Sequence, residues 1–93
     1  MCTINLADIL SQTSDMPQAG AVFYNKVMEA YANSDNVVVD MENVSALPSI
    51  FLNVSIGRII EEYGAEKLKS SMTFSKITKT QAIRLKEYLA KFR

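Results

Sequence analysis

The sequence predicts an α/β domain with β-α-β-α-β-α order, and three observations carry that prediction. Apolar residues alternate or cluster in three short stretches, and they recur with helical spacing in three longer ones. The two kinds of segment also take turns along the chain. Strands that alternate with helices make parallel pairs with crossovers the default. The expected architecture is a small mixed sheet with helices packed mainly against one face. The 93 residues fit a single domain, 1–93. With 48% hydrophobic residues, 3 Gly and 2 Pro, the chain has the apolar content for one compact core.

In the first segment, residues 3–9, Ile4, Leu6 and Ile9 are set to face a core, which predicts a half-buried strand. Residues 11–17 are turn formers that end it. A helix follows over 18–33, where Phe23, Val27, Ala30 and Tyr31 form one apolar stripe. Asn33, Ser34, Asp35 and Asn36 stop this helix, because their side chains compete for backbone hydrogen bonds. Val37-Val38-Val39 reads as a strand buried on both faces, closed by Asp40. Residues 41–48 form a loop into a second helix over 49–63, with Leu52, Ile56, Ile59, Ile60 and Tyr63 on one face. Gly64 stands where a left-handed helix end is expected. A further strand falls within 68–77, where Met72 and Phe74 alternate with Ser and Thr. The last helix opens at Thr78, with Gln81 completing a capping box, and buries Ala82, Leu85, Leu89 and Phe92.

Ten basic and ten acidic residues cancel, but they are segregated. Residues 1–66 carry nine acids against Lys26 and Arg58, a balance of −7; residues 67–93 carry eight cations against Glu87, a balance of +7. Folding the basic third onto the acidic remainder satisfies this pattern internally. The alternatives are a basic surface for an acidic partner or nucleic acid, or homo-oligomerisation through unlike charges. Nucleic-acid binding is the weaker of these, because the eight cations have no interleaved Gly and no binding motif.

The absence of histidine removes the usual general base near neutral pH and the commonest metal ligand. The single cysteine, Cys2, excludes an internal disulfide and a cage of several thiolates. No phosphate-cradling glycine motif occurs. The carboxylates of Glu61-Glu62 sit side by side on a helix, and Asp40 and Glu42 flank a strand end, the pattern of solvated faces. No catalytic residues, no metal ligands and no cofactor are assigned. Asn43-Val44-Ser45 and Asn53-Val54-Ser55 match the glycosylation triplet, but no basic start of a secretory signal and no membrane-spanning apolar run accompany them. A cytoplasmic protein with no membrane partner is expected.

Residues 37–52 have a distinctive cadence: a hydrophobic strand ending in Asp40, a loop valine at Val44, and Ser49 opening an amphipathic helix. The pattern runs on through Phe51-Leu52-Asn53 and Ile56-Gly57-Arg58-Ile59-Ile60. It resembles the STAS domains of sulfate transporters and anti-sigma-factor antagonists. It is more similar still to a shorter STAS-like family often found beside histidine-kinase-type ATPase domains. The resemblance extends over about residues 20–92. It implies a regulatory module that binds a kinase-like ATPase or an anti-sigma factor through the loop 43–49 and the helix 49–63. Asp40, Asn43, Pro48, Ser49 and Asn53 are the implied contact residues. In STAS antagonists a hydroxyl residue at this helix start is phosphorylated, and Ser49 is its counterpart. The phosphorylated motif is Asp-Ser-Ser/Thr-Gly, whereas here Pro48, Ile50 and Phe51 flank the serine. From the residues themselves, Ser49 reads as a helix N-cap and Asp40 as a loop brace.

Overall fold

The computed structural model describes residues 2–44 and 47–91. Its elements are β1 (Cys2–Asn5), α1 (Leu6–Gln12), α2 (Met16–Ala32), β2 (Val37–Asp40), α3 (Ser49–Val54), α4 (Ile56–Tyr63), α5 (Ala65–Ser71), β3 (Met72–Ser75) and α6 (Lys79–Ala90).

Among the described residues the sheet has three strands in the order β1-β2-β3. Both pairs are parallel, so the expected mixed sheet is corrected to a parallel one. Each strand returns to the sheet through helices, and a crossover of that kind brings it back in the same direction. The register is regular: Cys2, Val37 and Met72 lie in one row, and Asn5, Asp40 and Ser75 in another.

Burial alternates across this sheet. Ile4, Val37, Val39 and Met72 face the core, whereas Thr3, Asn5 and Thr73 are exposed. Val38 is half-buried, so the Val37–Val39 run is not buried on both faces as expected. The buried row joins α2, α3 and α4 in a single core, where Phe23 and Phe51 meet edge to face at 5.8 Å. The approach of α2 to α3 is set by Gly20: a Cβ there would lie 2.1 Å from Val54 Cγ2 and 3.1 Å from the Phe51 carbonyl oxygen.

Three further expectations change. The segment 3–9 splits into a four-residue strand and a helix, because the Asn5 side chain accepts the Asp8 N–H at 3.0 Å and caps α1. Leu6 and Ile9 are buried at helical spacing. The expected helix 49–63 is broken at Ser55, which is fully buried with φ −121° and ψ −82°. Its hydroxyl donates to the Phe51 carbonyl at 2.7 Å, so side chain replaces backbone in that turn and α4 starts without a side-chain cap. Residues 65–71, the last four of them in the segment 68–77 expected to hold the third strand, form α5, with Glu66 in its first turn and Lys69 in its last, where each suits the helix dipole. Gly64 joins α4 to α5 at φ +88° and ψ 156°, a region open essentially to glycine alone. Its positive φ was expected; its extended ψ differs from a left-handed cap.

The turn expected over 11–17 shrinks to residues 13–15, because α1 runs to Gln12 and α2 begins at Met16; the other elements follow the sequence closely. Asp15 caps α2 by accepting from Gln18 N–H at 3.2 Å, with Pro17 in the first turn. Phe23, Val27 and Ala30 are buried in α2, and Leu52, Ile56, Ile59 and Ile60 in α3 and α4; Tyr63 is 47% exposed. Thr78 and Gln81 form the full capping box of α6. That helix buries Gln81, Leu85 and Tyr88, whereas Ala82 and Leu89 are half-buried. Phe92, expected in the same stripe, lies outside the described residues.

Candidate functional site

The turn after β2 is fixed by its own polar groups. Asp40 Oδ1 accepts the Glu42 N–H at 2.9 Å, so the brace expected of Asp40 is present. Met41 N–H donates to the Ser75 carbonyl at 2.9 Å, carrying the pairing with β3 one residue past the strand. Asn43 then adopts φ +67°, a left-handed conformation that asparagine tolerates, and Val44 N–H closes the turn onto the Met41 carbonyl at 3.1 Å. The side chain of Glu42 meets Lys76 at 2.7 Å. That contact, with the nearby Asp40 charge, raises the pKa of the Lys76 ammonium above its ordinary value.

Beyond the turn, Val44 and Leu47 are buried and anchor the loop in the core; Ser45 and Ala46, within the expected contact loop, lie outside the described residues. The carbonyls of Val44 and Leu47 are held by α6. Gln81 Nε2 donates to the Val44 carbonyl, while its Oε1 accepts the Thr78 N–H at 3.1 Å. One buried amide thus caps α6 and ties down the loop. Arg84 Nε donates to the Leu47 carbonyl at 2.8 Å, and Arg84 Nη2 donates to Ser49 Oγ at 2.8 Å. One turn further along, the Tyr88 hydroxyl donates to Asn53 Oδ1 at 2.9 Å. Burial raises the Tyr88 pKa, and the Glu61 charge adds to the effect. Gln81, Arg84 and Tyr88 are spaced i, i+3 and i+7, so a single stripe of α6 grips the whole entry to α3.

The five contact residues expected from the sequence have different structural roles. Asp40 and Asn43 shape the turn, Pro48 and Ser49 open α3, and Asn53 anchors Tyr88. The cap assignment for Ser49 is corrected. The N-cap position falls on Pro48 (φ −61°, ψ 142°), Ser49 is the first helical residue, and its hydroxyl is engaged by Arg84 instead. Proline has no cap side chain to offer but has the right φ to enter a helix.

Sequence reasoning missed Arg84, Tyr88 and the loop-holding role of Gln81. It also missed Ile50 and Ile83, which are 57% and 49% exposed. They are the chain neighbours of Ser49 and Arg84, whose side chains meet between α3 and α6. Their signal was available: each is a large apolar residue off the buried stripe of its own helix.

A family model for a STAS-like domain of unknown function (DUF4325) matches residues 19–82, from α2 into the first turn of α6. The chain belongs to this STAS-like family. The match contains the turn, Ser49 and all of α3 and α4, while β1, α1, Arg84 and Tyr88 lie outside it. Neither a curated protein nor a solved structure matches the chain. Among the described residues no helix is long and apolar enough to cross a membrane, and no three metal-ligating side chains converge.

Proposed function

We propose that this STAS-like domain is a non-enzymatic, cytoplasmic regulatory module that binds a protein partner through the loop 43–49 and the helical segment 49–63. The observation that carries the reading is that Ile50 and Ile83, both exposed, are the chain neighbours of Ser49 and Arg84, whose contact joins α3 to α6 beside a loop tied down by Gln81 and Arg84. Large apolar side chains on a braced surface supply the apolar centre of an interface, and the nearby exposed Asn43, Asn53 and Arg84 supply its polar rim. The family resemblance makes a histidine-kinase-type ATPase or an anti-sigma factor the proposed partner.

The Arg84–Ser49 contact also favours a phosphorylation switch within that surface. A phosphate on Ser49 would place up to two negative charges against a guanidinium already in hydrogen-bond reach, and would change the charge beside Ile50. The segregated basic residues have uses inside the fold that support a protein partner over nucleic acid. Lys76 pairs with Glu42, Lys67 lies 4.8 Å from the Tyr31 ring centroid, and Arg84 grips the loop.

Affinity capture with five chains tests the reading: wild type, Ile50→Asp, Ile83→Asp, Ser49→Ala and Ser49→Asp. A shared partner should be lost with both isoleucine variants, kept by Ser49→Ala and released by Ser49→Asp. Equal retention by all five would remove the surface and the switch together.

A further inference from the structure

The strand β1 forms one edge of the sheet, with β2 on its other side. Cys2 N–H donates to the Asn36 carbonyl at 2.9 Å, which fixes the direction of the backbone groups along the strand. Amides alternate sides, so the N–H and C=O of Thr3 and the N–H of Asn5 point away from β2. All four β1 residues line a groove of about 480 Å³, walled by α1 and by one face of α2. Ile4, Ile9, Val22 and Ala30 give it an apolar floor, while Asp8 and Glu29 outnumber Lys26 at its rim. The edge is short, but Cys2-Thr3-Ile4-Asn5 has no Lys, no Pro and no bulge to repel an added strand.

We propose that this groove is a β-augmentation site: an extended segment of a partner protein adds as a fourth strand beside β1. Three features select the occupant. The outward backbone groups of Thr3 and Asn5 demand an extended chain. The pleat directs alternate side chains of that chain into the groove over Ile4 and Val22, and the others onto the polar face beside Thr3, so it alternates apolar with polar residues. The acidic rim calls for basic flanks. This surface is distinct from the loop 43–49 and α3, and the inference stands whether or not that region binds a partner.

The test uses the full chain and the labelled synthetic peptide Lys-Arg-Val-Thr-Val-Thr-Val-Arg-Lys, followed by fluorescence anisotropy and amide hydrogen exchange. Saturable binding is expected, with exchange at Thr3 and Asn5 slowed about tenfold or more at saturation. N-methylation of either the valines or the threonines should weaken binding about tenfold, and N-methylation of the other set should leave it unchanged. The blocking set reports whether the added strand runs parallel or antiparallel to β1. Replacing the basic flanks by Glu should weaken binding about fivefold at low salt, and added salt should narrow that gap. Absence of saturable binding would overturn the proposal, as would equal effects of the two methylated sets. Equal affinity of the Glu-flanked peptide would do the same. A chain that sediments as a dimer and takes up no peptide would give the edge to a second copy, and would also overturn it.

Discussion

The entry to α3 and the groove beside β1 belong to the same small fold, yet they are constructed in opposite ways. At the entry to α3 the loop carbonyls of Val44 and Leu47 are already taken by Gln81 and Arg84, so what remains for a partner is side chains: Ile50, Ile83 and the Ser49 hydroxyl. In the groove the backbone itself stands unclaimed, at Thr3 and Asn5, and the side chains around it are a mixed wall. The first surface can be altered by a single modification or substitution. The second reads the alternation and hydrogen-bonding pattern of whatever chain lies in it, and tolerates change in individual side chains. Two surfaces built so differently can evolve separately on one chain of 93 residues.

The comparison can be broken at several points, taken here from the largest expected effect to the smallest. Phe51→Ala removes the ring that meets Phe23 and empties the α2–α3 core, so it should cost about 3–5 kcal/mol and disturb both surfaces, as read by urea unfolding. Gln81→Ala leaves the Val44 carbonyl and the Thr78 N–H without their partner, at a cost of about 2–3 kcal/mol. Its amide exchange should rise in the loop 41–48 and stay unchanged along β1. Gly20→Ala forces α2 off α3 and should cost about 1–3 kcal/mol, against the usual gain for such a change in a helix. Arg84→Ala, which frees Ser49 without touching β1, should cost about 1 kcal/mol and leave peptide uptake in the groove intact.

The smallest effect lies at alkaline pH. Lys76 is raised by its contact with Glu42, and Tyr24 by its hydrogen bond to Glu62 together with burial. In each case the folded chain holds its proton more tightly than the unfolded chain does. The contribution is therefore complete below the ordinary values of 10.5 and 10.0, and is lost as pH rises through the raised ones. Unfolding midpoints from pH 8 upward should fall less steeply in Lys76→Met and Tyr24→Phe than in the wild type. Parallel curves would refute the assignment.

How much of this was readable in the sequence depended on how local the signal was. The capping box at Thr78 and Gln81, the triple-valine strand and the Asp40 brace are set within a few residues, and each is present. The break at Ser55 is different: the periodicity of Leu52, Ile56, Ile59 and Ile60 continues across it, and only the burial of the serine hydroxyl against Phe51 interrupts the helix. Ile4, Leu6 and Ile9 fit period two and helical spacing about equally well, and the Asn5 cap decided between them. The site itself was half legible. Asp40 to Asn53 is contiguous, but the residues that brace it come from α6, 35 to 37 positions away along the chain, and no local pattern announces that reach.

The strand register also bears on how the domain assembles. Cys2 pairs with Val37 and Val37 with Met72, so each parallel pairing closes a loop of the same length, 35 residues. Closing either loop costs roughly 3 kcal/mol of chain entropy before any contact rewards it, so entropy gives neither pairing priority. Neither pair can form as a local hairpin, which places this sheet among the slower topologies for its size. The helices, joined by short turns, are the elements free to form early. During synthesis β2 would have a partner in β1 long before β3 emerges, so a ribosome-bound chain stopped just before Met72 would hold the same β2 with two alternatives for its vacant side: solvent, or another nascent chain.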